Sequence, residues 1–373
     1  MTKSPTYQST FYNTMDDLPN LAPIEDLYTH AEELDEVDDA PPRWRNAPYQ
    51  YDYRQWTLDD WADSNTWTNT RFTKVQIHEL VDLLRLDEVE YNAGLTPHPV
   101  MACCVLLRRL AFSCRWCDLQ QVFGRSASWL STVFTCVVQH LNETFGHLLA
   151  WHPHLRSYRR LYSFANAIEK RCYARVWGFL DGHFEEMARP IYRQQDVYSG
   201  HARGHGLKYQ AIIAPDGVVY FLEGPFEGKK NDYAMWSESR ATIRLRRMMA
   251  PPRETLYLYG DPAYHCTFGV CAPFRTPAGG ELTADEAEFN RHLSAQRISI
   301  EHAFGDSWRQ WNYLANSQQL HSGSQAVGAF FRATIILNNV RACMHGYNQT
   351  SQRFGVNPPT PHEYLNPTDL AVP

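Results

Sequence analysis

Three carboxylates stand out by where they fall in the chain. Asp181 follows the apolar run Arg175-Val176-Trp177-Gly178-Phe179-Leu180, Asp261 follows Thr255-Leu256-Tyr257-Leu258-Tyr259-Gly260, and Glu301 lies inside a stretch with helical periodicity. Carboxylates at adjacent strand ends, met by a third from a packing helix, can converge on a pair of hard divalent cations. Mg²⁺ and Mn²⁺ suit such oxygen ligands, and two ions together stabilise the attacking and the leaving oxygen of an in-line phosphoryl displacement. Taken singly, each acid has a plainer explanation. Asp-Gly marks a turn, and Glu301 can pair with Arg297 one helical turn earlier. Only the set of three makes the chemical case. Asp232 is the nearest rival for a metal position and is placed beside the site rather than on the ions.

Other residues with chemical potential read more weakly. Cys114-x-x-Cys117 has no second Cys or His pair at zinc spacing, which favours core packing. His201 and His205 have a spacing that would suit a metal on a helix, but Gly200, Gly204 and Gly206 argue for a loop. Arg244, Arg246 and Arg247 lie close together and can touch phosphates, although solvated helix faces often look the same.

The elements that must position these groups follow from periodicity. Thr73, with Gln76 three residues on, makes a capping box for a helix with Ile77, Leu80, Val81 and Leu84 on one face. A longer apolar helix covers about 98–113. Residues 116–123 form a short helix broken by Gly124, and Ser126 caps the next, whose stripe is Leu130, Val133, Phe134, Val137 and Leu141. Two helices joined by a short turn containing Gly fit a helix-turn-helix, whose second helix enters a DNA major groove; an ordinary helical hairpin fits the same spacing. On the first reading, Arg125 and Ser128 are the best DNA-contact candidates.

Beyond residue 172 the period changes to strands. Residues 207–214 and 218–222 flank the turn Pro215-Asp216-Gly217 and read as a β-hairpin. Residues 232–249 are helical, a short helix starts at Thr283 with Glu286 as its capping partner, and a longer one runs from Ser294 to Trp311. A further apolar helix covers 325–345. The class is α/β or α+β, preceded by an all-α region. The expected organisation is an acidic arm over 1–63, a helical domain over 64–165, a sheet-bearing domain over 166–348 and a loose tail over 349–373.

The formal net charge of −6 hides an asymmetry: residues 1–63 hold 14 acids and 4 bases, and the remainder 27 acids and 31 bases. An acidic arm without apolar period, ahead of a mildly basic body, reads as disordered and is compatible with a nucleic-acid partner. No apolar run approaches the length of a membrane span, and the first residues lack the apolar stretch of a secretory signal. Nine cysteines at irregular spacing do not make a disulfide framework. An intracellular globular protein is expected.

The blocks GFLDGHFEEMARP, YSGHARGHGLKYQAIIAPDGVVYFLEGPFEGKKNDYAMWSES, LYLYGDPAY and FNRHLSAQRISIEHAFG, in that order, resemble the PIF/Harbinger-type DDE transposases, most closely their fungal branch. The resemblance covers about 95–345. It implies an RNase H-like catalytic fold, two Mg²⁺ or Mn²⁺ ions, and cutting and joining of double-stranded DNA at transposon ends in the nucleus. It also implies a separate Myb-like DNA-binding partner protein, and it is compatible with a homo-oligomer. Residue by residue, the family's first Asp matches Asp181, its second matches Asp261 with Gly260 and Tyr264, and its Glu matches Glu301 with Arg297, Phe304 and Gly305. Two positions depart from the usual pattern: His183 stands where Thr is common, and Asn231 precedes Asp232 where His is usual. A rival reading keeps the fold as a non-catalytic, domesticated DNA- or chromatin-binding scaffold.

Overall fold

The computed structural model describes residues 56–172, 175–321 and 325–367, with the side chains of residues 93, 171–172 and 298–309 outside that description. All described residues belong to one compact unit, Arg43–Pro373.

Order begins earlier than the capping box at Thr73 suggests. Trp56 and Leu58 are buried, and the Trp56 ring packs edge-on against Trp61 and Phe123, with centroids 5.1 and 5.0 Å away. These apolar anchors hold the last residues of the expected acidic arm against the body, so its boundary at 63 is too late. Residues 1–55 lie outside the described residues. Helix α1 (Asp63–Thr70) follows, then α2 (Lys74–Leu83). The capping box of α2 forms as expected: Gln76 N donates to Thr73 Oγ1 (3.2 Å) and Thr73 N to Gln76 Oε1 (3.0 Å).

Helix α3 (Pro99–Ala111) is buried almost all round. Helix α4 (Trp116–Phe123) stops at Gly124, whose φ of 61° is the left-handed conformation that favours glycine. Helix α5 (Ala127–Ala150) starts with Ser126 Oγ accepting from Trp129 N at 3.2 Å. Its buried stripe continues past the predicted residues through Phe145, Leu148 and Leu149. That length lets α5 pack on α3 and α4 and also on elements far along the chain. A single hydrophobic cluster therefore runs from Trp56 to Leu365, and no gap in packing marks the domain boundary expected near 165.

Helix α6 (Tyr158–Cys172) leads to the sheet. Its strands are β1 (Val176–Glu186), β2 (Tyr198–Ser199), β3 (Gly204–Ile213), β4 (Val219–Glu227), β5 (Tyr257–Tyr259) and β6 (Val270–Cys271), and a short helix α7 (Gln194–Val197) precedes β2. The order β2–β3–β1–β5–β6, with β4 also on β3, makes a mixed sheet: β1, β3 and β4 are antiparallel, while β5 and β6 run parallel to β1. The predicted hairpin is β3–β4. His201 lies with Gly200 in the turn between β2 and β3, as expected of a loop, whereas His205 lies in β3 opposite Tyr198. Gly206 there lets β3 pass close to β1, since a Cβ would come within 2.3 Å of the Glu185 carbonyl. Helices α8 (Asp232–Glu238) and α9 (Ala241–Met248) follow β4.

Helix α10 (Ala284–Gln310) is one continuous element, not two. The Thr283–Glu286 cap starts it as expected. Ser294, read as a second start, falls between buried Leu293 and Gln296, and no Gly or Pro interrupts the helix there. Helix α11 (Val327–His345) lies along α5.

The segment from 349, expected to be loose, folds into α12 (Gln349–Phe354) and α13 (Pro361–Leu365). Asn348 and Thr360 cap them, and Phe354, Tyr364 and Leu365 are buried. Tyr364 stacks on His152 with centroids 4.9 Å apart, and its hydroxyl accepts from Asn339 Nδ2 at 2.8 Å. Asn348 Nδ2 donates to the Asp216 carbonyl at 2.8 Å, and its side chain occupies the space that a Cβ on Gly217 would need. Arg85 Nη2, just past α2, donates to Asn366 Oδ1 at 3.3 Å. Residues 368–373 of the expected tail lie outside the described residues.

Candidate active site

Strand register brings two of the three predicted acids together. In the parallel pair, Phe179 of β1 sits opposite Tyr259 of β5. Asp181 and Asp261 are each two residues further on, so they occupy equivalent positions along the register. Asp261 lies just past the end of β5, whereas Asp181 lies mid-strand, because β1 runs on to Glu186 by pairing with β3 instead of ending before Asp181 as expected. Asp181 Oδ1 accepts from Arg297 Nη2 (3.2 Å) and from Gly182 N (3.1 Å). Burial pushes the Asp181 carboxyl up to about 6, against the pull of Arg297; the charges of Asp261 and Asp232 push the same way. Asp261 Oδ1 accepts from Ala263 N at 2.9 Å, which fixes the turn after β5. Glu301 lies in α10 four residues after Arg297, the residue that reaches Asp181; its side chain lies outside the described residues. Among the described residues, no group of three or more His, Cys, Asp or Glu is assembled around a common point.

Asp232 sits on the other face of β1. A Cβ on Gly182 would come within 2.8 Å of Asp232 Oδ1, and successive side chains of a strand point to opposite faces. Only glycine at 182 lets the first turn of α8 approach so closely. Asp232 Oδ1 accepts from Lys208 Nζ at 3.3 Å. Gln210, directly opposite Gly182 and fully buried, donates from Nε2 to the Tyr264 hydroxyl (2.8 Å) and to the Asp232 carbonyl (3.3 Å). Tyr264 is buried, and burial together with Asp232 holds its hydroxyl well above the ordinary phenol range, so it stays protonated. Its ring lies where a Cβ on Gly260 would be, 2.7 Å from Cδ2. Lys208 and Gln210 are supports that motif spacing missed. The available signal was a Lys-x-Gln pair on one face of the otherwise apolar run Leu207–Ile213.

The two departures from the resembled pattern have local roles. The His183 ring stacks on Phe331 (5.1 Å) and its Nε2 lies 3.1 Å from Glu185 Oε2, while burial pushes its pKa down to about 3. Asn231 caps α8, its Oδ1 accepting from Ala234 N at 2.7 Å.

The remaining predicted positions lie apart from this cluster. Ser128 is exposed in the first turn of α5, and Arg125 is partly buried with its guanidinium over the Trp129 ring. Arg244 donates from Nη1 to the Ala150 carbonyl at 2.7 Å, closing the C-terminal end of α5. Arg246 lies over Phe268, and Arg247 is exposed.

Residues 180–339 match the family described as DDE superfamily endonuclease. That span opens one residue before Asp181, contains Asp232, Asp261, Tyr264, Arg297 and Glu301, and ends within α11. The helices before β1, with Arg125 and Ser128, fall outside it. A probable transposase for insertion sequence element IS702 from Microchaete diplosiphon is 26% identical over 118 residues, 31% of this chain and 40% of that relative. No solved structure matches significantly. The DDE endonuclease match and the register-matched acids coincide in the sequence, and none of the described helices is long and apolar enough to cross a membrane.

Proposed function

We propose that this chain is a DDE-type DNA endonuclease of the transposase class, with Asp181, Asp261 and Glu301 as its acids. The observation that carries this reading is the register-matched pair Asp181, within β1, and Asp261, just past β5, inside the region that matches the endonuclease family. The sheet order β4–β3–β1–β5–β6, three antiparallel strands followed by two parallel ones, supports the RNase H-like reading. The transposase relative and the motif blocks support double-stranded DNA as substrate, and the finer PIF/Harbinger assignment with a nuclear site of action and a Myb-like partner belongs to the same reading.

The donor set fits divalent cations. It is all oxygen, and burial, with smaller pushes from Asp261 and Asp232, disfavours the charged form of Asp181, an opposition that a bound cation relieves. Asp181, Asp261 and Glu301 would hold the ions. Bound Mg²⁺ or Mn²⁺ would supply an activated water or 3′-hydroxyl and charge stabilisation at the leaving 3′-oxygen. The chain's own residues prepare that site. Arg297 balances the Asp181 charge, the Lys208–Asp232 contact holds α8 against β1, and the Gln210–Tyr264 contact holds the turn that presents Asp261. No covalent intermediate with the protein is needed.

Asp181→Asn, Asp261→Asn and Glu301→Gln should each reduce Mg²⁺- or Mn²⁺-dependent nicking of duplex DNA by more than about 100-fold, with far-UV circular dichroism unchanged. Full nicking by any one of these variants removes that residue from the site.

A further inference from the structure

Beyond Asp261 the chain makes a tight hairpin onto β6, the edge strand of the sheet. Thr267 N donates to the Val270 carbonyl and Val270 N to the Thr267 carbonyl, both at 3.1 Å. Phe268 and Gly269 are the two loop residues, and Gly269 takes a φ of 76°, the positive value such a turn asks of its second position.

The residues flanking that bonded pair are the next to face each other, and both are cysteines, Cys266 and Cys271. Hydrogen-bonded and non-hydrogen-bonded positions alternate along an antiparallel pair, and the non-bonded ones bring their Cα atoms to about 4.5 Å. That lies inside the separation of about 4.4–6.8 Å that a disulfide bridges. Ala272 N, whose next ladder partner would be the carbonyl of residue 265, is taken instead by the Cys266 thiol, with Sγ accepting at 3.4 Å. Cys266 therefore turns its sulfur across to the strand that carries Cys271. Cys266 is exposed and Cys271 half-buried, whereas Cys103, Cys104, Cys136 and Cys343 are buried inside helices.

The pair also brackets one of the acids. The Cys271 carbonyl accepts from Gly260 N at 2.9 Å, which anchors the residue just before Asp261. Cys266 closes the turn that Asp261 opens.

We propose that Cys266 and Cys271 form a reversible dithiol–disulfide pair, oxidised by a low-molecular-weight disulfide, that regulates cutting through the Asp261 turn. The exposed Cys266 thiolate attacks one sulfur of the oxidant and expels a thiolate. The Cys271 thiolate then attacks the mixed disulfide and expels the second. The two cysteines give up two electrons and two protons, and the oxidant leaves as two thiols. In a reducing compartment such a bond is transient and serves sensing, not structure. Closing it draws the Cys266 sulfur off Ala272 N and tightens the turn holding Asp261, and a displacement of about 1 Å at a reacting site can cost about 100-fold in rate. The regulatory half rests on the nuclease reading above; the cross-link does not.

The test holds the full chain in mixtures of reduced and oxidised glutathione, then tags free thiols and digests with trypsin. Both cysteines fall in one peptide, residues 254–275. As the mixture becomes more oxidising, that peptide should lose two hydrogens and take no tag. Over the same series Mg²⁺-dependent nicking should fall at least about 10-fold, and dithiothreitol should restore it. Cys266→Ser and Cys271→Ser should each nick like the reduced parent and keep that activity in the oxidising mixture. If one variant fails to fold, the other carries the activity test. Two tags on the peptide in every mixture, or glutathione held on Cys266 without the link, overturns the proposal. A link that leaves nicking unchanged, or inhibition that persists in the serine variants, overturns its regulatory half. A reduced parent that cuts no DNA sinks the nuclease reading and not the link, which the peptide masses decide on their own.

Discussion

Asp181 is held in a setting that its own charge opposes. Its carboxyl keeps a proton up to about 6, against 3.8 for an ordinary aspartate. Between those values the folded chain binds more protons than the unfolded one, so stability falls as pH rises through that window and the cost is full above it. Keeping that proton up to about 6 corresponds to about 3 kcal/mol against the charged form, and loss of the Arg297 contact offsets part of it. In chelator-treated protein, Asp181→Asn should therefore be more stable than the parent at pH 7.5 by about 1–2 kcal/mol, with the advantage gone below pH 4. Melts across pH would check this; equal melting temperatures at pH 7.5 would remove the burial argument. The same substitution abolishes cutting on the functional reading, so stability and activity move in opposite directions. Asp181 and Asp261 were legible in the sequence because apolar runs end just before them. That Asp232 lies on the far face of β1, and that Lys208 and Gln210 support the site, needed the β1–β3 register, which no local pattern encodes.

The close approach of α8 to β1 depends on one missing Cβ. Gly182→Ala would drive a methyl group into the Asp232 carboxylate and disturb its ion pair with Lys208. The cost should be about 1–3 kcal/mol, as for other overpacked sites. Combining it with Asp232→Ala should restore most of that loss, because the clash and its partner vanish together. A double variant no more stable than Gly182→Ala would show that the strain lies elsewhere. Capping chemistry made α2, α5 and the start of α10 legible, since Thr73, Ser126 and Thr283 each place a side-chain oxygen where an orphan N–H needs one. The separate helix read from Ser294 to Trp311 had no such cap behind it. A residue able to cap is also tolerated inside a helix, and the buried neighbours Leu293 and Gln296 carry α10 through it.

On the scale of the whole molecule, the C-terminal helices are part of the core. The Pro-rich, polar sequence around them read as loose because its large apolar anchors, Phe354, Tyr364 and Leu365, are few and follow no period, and the prolines that look like loop residues, Pro358, Pro359 and Pro367, are themselves buried. Burying a side chain of that size contributes about 1.5–3 kcal/mol, and total stabilities are about 5–15 kcal/mol. Removing residues 349–373 should therefore abolish cooperative melting, whereas removing only 368–373 should leave it intact; a sharp transition in the longer truncation would show that α12 and α13 are dispensable. These helices cap the β3–β4 turn through Asn348 and reach the end of α2 through Asn366. Synthesis delivers the chain from its N-terminus, and an incomplete domain exposes apolar surface while it waits. Here the wait lasts until residue 365 has left the ribosome, with both acid-bearing strands made long before the segment that locks their sheet. A message interrupted late in its reading frame would then yield no partly working protein, only an unfinished chain for the cell's proteases.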